Sequence, residues 1–198
     1  ALVFFAVYLL DSGATPGALI DQYLQAEIAQ AMQTYQDAGL SAAQLQEMEQ
    51  IAGQVAAFIA STFFGLYVAG TLAVQLLTLL LLQRFKGESY RIAGLPFARW
   101  RLPAVLIWVL ILAGFGMLAP LESLQSVARN SLAILLPLYF LQGLAVVNSF
   151  LLRKSYPPVL KGMIYLMVFI FNPLPLLVTG VGVFDLWVDF RRPRTKDL

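Results

Sequence analysis

The chain has 198 residues, 60% of them hydrophobic and 12% charged, with a net charge of +2, against about 45–50% apolar and about 25% charged in a soluble domain. Cysteine and histidine are both absent, which excludes disulfides, thiolate chemistry, imidazole bases and the usual zinc sites. The basic residues sit at the ends of apolar runs, where they act as topology signals and leave no nucleic-acid footprint.

No charged residue lies between Glu49 and Arg84, Arg101 and Glu122, Arg129 and Arg153, or Lys161 and Asp185. A spanning helix needs about 20 mostly apolar residues, so the expected fold is all-α, a polytopic helical membrane bundle. Residues 1–10, A-L-V-F-F-A-V-Y-L-L, are too few to span and lack the basic start and small-residue cleavage site of a signal peptide. They read as the tail of a truncated transmembrane helix, so the protein is expected to extend further at its N-terminus.

After the turn-rich D-S-G-A-T-P-G, the residues Ile20, Leu24, Ile28, Met32 and Tyr35 recur at helical spacing among polar positions. Gly39 should end this helix, and Ser41 with Gln44 forms a capping box for the next. Residues 17–50 are therefore an amphipathic helical hairpin. Asp21, Glu27, Asp37, Glu47 and Glu49 are acidic, and no Lys or Arg precedes Arg84, so the hairpin is expected outside the cytoplasm. It reads either as a solvated cap or as a docking surface.

The bundle is expected over residues 51–190. The first span covers about 51–83, within 34 uncharged residues. Arg84, Lys86, Arg91, Arg99 and Arg101 then mark a cytoplasmic loop with Gly87 and Gly94 as breaks. Spans at about 103–119 and 129–152 follow, with Pro103 suited to a first helical turn. Residues 156–172 and 174–190 give two short spans divided at Asn172 and Pro173, or else one kinked helix. The first alternative makes five spans and leaves 191–198 as a basic cytoplasmic tail.

Three stretches carry a resemblance. L-P-F-A-R-W-R-L-P-A-V-L-I-W at 95–108, A-R-N-S-L-A-I-L-L-P-L-Y-F-L-Q-G-L-A-V-V at 128–147 and G-V-G-V-F-D-L-W-V-D-F-R-R at 180–192 resemble the YybS-like family of predicted bacterial polytopic membrane proteins. That family is a domain of unknown function grouped with the S-components of energy-coupling-factor transporters. The resemblance implies a bundle in the bacterial cytoplasmic membrane that binds a small solute and meets other membrane subunits.

Gly53, Ala57, Ser61, Gly65, Ala69 and Ala73 recur every four residues, a face for packing within the chain or for a partner helix. Tyr139, Gln142 and Asn148, with Arg129 and Asn130 at an outer boundary, are candidates to line a ligand pocket, or else to form interhelical hydrogen bonds. Glu122 is the nearest acidic partner for Arg129. In the last span Asp189 stands three residues from Arg192, a spacing that permits an ion pair. Trp187 and Phe190 suit interfacial anchors. Asp185 lies a turn deeper and needs a cation; Arg153, Lys154 and Lys161 are the available partners. Asp185 and Asp189 share one helix, unlike the acids of intramembrane aspartyl proteases. No catalytic residue, metal ligand or cofactor is therefore expected. The expected partners are the lipid bilayer, other membrane subunits and a small-molecule solute, with no nucleic acid. Two functions remain open: a transport subunit, or a non-transporting scaffold within a larger membrane assembly.

Overall fold

The computed structural model describes residues 16–86, 96–154 and 156–192, and within them every regular element is helical. The helices are α1 (Pro16–Asp37), α2 (Ala42–Lys86), a 3-10 turn (Phe97–Arg99), α3 (Leu106–Gly116), α4 (Glu122–Arg153), α5 (Pro158–Ile170) and α6 (Leu174–Val188). The fold is thus a helical membrane bundle. The expected helix tail at 1–10, the glycine breaks at 87 and 94, Arg91, and residues 193–198 of the basic tail lie outside the described residues. Two compact units divide between Leu66 and Tyr67, with α2 contributing to both.

In the first unit, α1 ends where local chemistry says it should. Gly39 takes φ +88°, and the amides of Gly39 and Leu40 return to the carbonyls of Gln36 and Tyr35, a left-handed glycine stop. Ser41 then opens α2: its Oγ accepts from the Gln44 amide while Gln44 Oε1 accepts from the Ser41 amide at 3.1 Å, which satisfies two orphan donors reciprocally. The start of α1 lies close to α2, because a Cβ on Gly17 would sit 3.2 Å from the Ala60 carbonyl oxygen.

In the second unit, α4 is the central helix. It packs against α3, α6 and the 3-10 turn, and α5 packs on α6. Ile107, Leu135 and Tyr139 form one core cluster, and Leu144, Val168 and Val178 a second. The α4–α6 crossing is the tightest place. A Cβ on Gly143 would fall 2.8 Å from the Val178 carbonyl carbon, and one on Gly182 would fall 2.7 Å from the Gly143 nitrogen. Only hydrogen fits at either position, so the two backbones touch directly. Close backbone approach of this kind is what holds helices together where lipid supplies no hydrophobic force between them.

The sequence windows suggested five complete spans, and helix length gives a smaller number. Among the described residues α2 and α4 are long and apolar enough to cross a membrane, and the bent α5–α6 pair adds a third if counted as one span. Turns from Pro103 to Val105 and from Met117 to Ala119 shorten α3 to 11 residues, about 16 Å of helix against about 30 Å of hydrocarbon. The break expected at Asn172 and Pro173 is present. It bends the chain by 103° and leaves α5 with 13 residues and α6 with 15. The last helix stops at Val188, two residues before the expected end.

Gly182→Ala should cost about 1–3 kcal/mol by overpacking the crossing. Gly162→Ala, inside a helix where an added Cβ meets nothing within 4 Å, should raise stability by about 0.5–1 kcal/mol. Thermal unfolding of both variants in detergent micelles separates the two outcomes.

Candidate functional site

The polar chemistry of the second unit gathers at the end of α6. Asp185 sits one turn below Gly182, so the close α4–α6 contact carries it inside, where it is 0% exposed. A buried carboxylate is costly unless cations accompany it. Two arginines do so: Arg191 Nη2 lies 2.9 Å from Asp185 Oδ2, and Arg101 Nε lies 3.6 Å from the same oxygen. Neither Asp185 Oδ1 nor Oδ2 receives a hydrogen bond among the described residues, so charge and not hydrogen bonding holds this group.

Arg191 reaches back because the backbone reverses at Asp189. That residue caps α6 with φ 45° and ψ 61°, a left-handed conformation that Asp tolerates better than most residues. Its amide still donates to the Asp185 carbonyl at 3.1 Å. The turn sends the Arg191 side chain inward, where Nη1 donates to the carbonyls of Ala98 at 3.1 Å and Trp100 at 2.7 Å. Those two carbonyls belong to the 3-10 turn and its cap, so one guanidinium ties the end of α6 to the segment before α3. Arg101 also pairs with Asp189. Arg153, at the end of α4, donates to the carbonyls of Arg191 and Arg192.

The expected partners of Asp185 were Arg153, Lys154 and Lys161, and the structure corrects this. Arg153 binds main-chain oxygens, and Arg101 and Arg191 hold the acid. A helix continued to residue 190 would have turned Arg191 away, and the early left-handed stop reverses it. Asp189 and Arg192 do stand together, with Nε 3.7 Å from Oδ2, in a turn beyond the helix and not along its face.

Among the described residues, those expected to line a ligand pocket are engaged separately. Tyr139 is buried in the apolar cluster with Ile107 and Leu135. Gln142 is buried and engaged at both ends: Oε1 accepts from the Leu102 amide and Nε2 donates to the Gly182 carbonyl, each at 2.9 Å. Asn148 is half-buried further along α4. Arg129 and Asn130 lie toward the other end of that helix, where Asn130 donates to the Ser126 carbonyl at 2.8 Å. Arg129 Nε is buried without a hydrogen bond among the described residues, and its expected pairing with Glu122 is not among the ion pairs there. The small-residue series also disperses. Gly65 is buried, Gly53, Ser61 and Ala69 are half-buried, and Ala57 and Ala73 are exposed. The tightest helix contact among the described residues lies at Gly143 and Gly182. A faint signal for it was present, because each glycine stands beside or one turn from a polar residue inside an apolar run.

Above the buried acid an open cleft of about 610 Å³ is lined by Arg99, Arg101, Arg153, Arg191 and Arg192, with Asp189 as the one acid among its lining residues. Counting Asp185 beneath, five guanidiniums face two carboxylates, a surplus of three positive charges.

Asp185→Asn should leave Arg191 buried without a countercharge and cost about 3–5 kcal/mol. Adding Arg191→Met removes the uncompensated cation but also its bonds to the Ala98 and Trp100 carbonyls, so the double variant should lose less than the sum of the two single losses. Unfolding midpoints of the single and double variants in detergent test the coupling.

Neither the curated proteins nor the solved structures include a match to this chain. One family model does match, that of the predicted membrane protein family DUF2232, over residues 1–186. A match of that extent, on a bundle whose helices are apolar outside and tied together inside, means that the chain belongs to the DUF2232 family of membrane proteins.

Proposed function

We propose that the chain is a non-transporting scaffold or accessory subunit of a larger membrane assembly. In this reading it lies in the bacterial cytoplasmic membrane, with the arginine-rich end in the cytoplasm and residues 17–50 outside, as the distribution of Lys and Arg favours. The observation that carries the reading is Gln142. It is the buried amide at the centre of the bundle, and both of its ends are occupied by the protein itself. A solute site there would need those groups free.

Support for a partner helix comes from α2. From residue 71 to 81 every position of α2 is exposed, and Ala69, Ala73 and four leucines of this helix face Trp100 and the Ile134–Leu141 stretch of α4 across an apolar groove of about 480 Å³. Small residues beside a groove allow another helix to approach closely. The chemistry assigned to the chain in this reading is binding and not catalysis.

The volume of that groove favours a second reading, a solute-binding transport subunit similar to the S-components that the YybS-like resemblance implies. Small-molecule sites occupy about 300–1,000 Å³, and a solute held here would be apolar.

Purification in mild detergent followed by mass spectrometry of bound protein and bound small molecules separates the readings. A stoichiometric membrane partner that is lost with Ala73→Phe is the expected result. A saturable small-molecule ligand displaced by the same variant, with no partner protein, would overturn the scaffold reading in favour of transport. Gln142→Leu should lower stability by about 1–3 kcal/mol, by leaving buried backbone groups unpaired, while the bound partner is retained.

A further inference from the structure

The arginine cleft does more than neutralise Asp185. Its surplus of three positive charges is not needed to hold the acid, which Arg101 and Arg191 already accompany. Arg99 is exposed and its side chain has no ion pair or hydrogen bond among the described residues. Arg153 spends two of its five donors on main-chain carbonyls, which leave its charge uncompensated. Arg192 is 86% exposed in its side chain and meets Asp189 only at 3.7 Å. Three guanidiniums with unspent charge around one concave opening form a receptor for an anion that accepts several hydrogen bonds, and the planar fork of arginine suits phosphate oxygens above all.

A second observation specifies the source of the phosphate. The cleft adjoins a groove of about 430 Å³ that shares Arg153, Asp189 and Arg192 and is walled on its other side by Phe150, Val188 and Phe190. The nearby surface is apolar as well: Phe184, Trp187 and Leu152 are all more than half exposed. A free phosphate has no use for such a wall. A molecule with a phosphate at one end and acyl chains at the other would place the first among the arginines and the second along Phe150, Val188 and Phe190. Basic pockets at the ends of membrane helices recognise anionic headgroups in this way. We propose that this end of the bundle is a binding site for an anionic phospholipid, with the headgroup phosphate held by Arg99, Arg153 and Arg192. Phosphatidylcholine carries the same phosphate, but its quaternary ammonium would enter a region of surplus positive charge, so the site discriminates by headgroup charge.

The test uses the full chain, delipidated in detergent and titrated with phosphatidylglycerol or phosphatidylcholine of matched acyl chains, with bound lipid counted by native mass spectrometry. Phosphatidylglycerol should bind more tightly. Arg99→Gln and Arg192→Gln, which spare the buried Asp185 pairs, should each weaken it by about fivefold and together by about 25-fold, with little effect on phosphatidylcholine. Unfolding midpoints equal to that of the parent would confirm that both variants remain folded. Equal affinity for the two lipids, or an unchanged affinity in the double variant, would overturn the proposal. Displacement of phosphatidylglycerol by inorganic phosphate at concentrations comparable to the lipid would overturn it too, since the site would then be one for a free anion.

Discussion

A carboxylate placed where water cannot reach it obliges the rest of the chain to bring charge to it. Asp185 is that carboxylate, and the arrangement around it follows from the obligation. Taking such a group out of water costs several kcal/mol even after relaxation. The left-handed residue at Asp189 adds about 1–3 kcal/mol of backbone strain, the usual range for such positions. The two features are coupled, because the reversal at 189 is what returns Arg191 to the acid. Arg191 in turn fixes the carbonyls of Ala98 and Trp100, and Arg153 fixes the carbonyls of Arg191 and Arg192. The ends of α4 and α6 and the entry to α3 are thereby joined by arginines that neutralise an acid and satisfy main-chain oxygens left over where helices stop.

Deeper in the bundle the same elements are held by shape. Gly143 and Gly182 let α4 and α6 meet backbone to backbone, and Gln142 beside them links both helices to the segment before α3. Shape and charge therefore act on one pair of helices at two levels, about a turn apart. Loss of the glycine contact would move Asp185 away from its cations, and loss of the cations would leave the glycine contact bearing a buried charge. Between them these two levels make α4 and α6 one element, to which α3 and α5 attach by apolar packing.

What the sequence made legible was local. The charge-free windows identify a helical membrane protein, because the bilayer punishes charge in a long apolar run. Gly39, Ser41 and Gln44 mark the hairpin turn, because each acts within four residues. Asn172 and Pro173 mark a break, because Pro173 and Pro175 stand two residues apart and both oppose a continuous helix. What the sequence concealed depended on contacts between distant segments. The partners of Asp185 come from a turn two residues earlier than expected and from Arg101, 84 positions away. The six-member small-residue series is the more regular pattern, whereas the tightest helix contact among the described residues uses two isolated glycines whose spacing carries no repeat. Helix length was concealed for the same reason: apolar content measures how much chain can enter lipid, and says nothing of turns such as those at Pro103 to Val105.

The side chain at position 142 has a consequence for how this family can vary. It must accept from one backbone amide and donate to one backbone carbonyl on different segments, with both atoms at the end of a two-carbon stem. Glutamate in its charged form offers no donor, leucine offers neither group, and asparagine is a methylene short. Most single-residue routes away from glutamine therefore pass through a protein with an unpaired group in a dry interior. Position 142 should change rarely across related chains, and where it does change, residues 102 and 182 should be found to have moved with it.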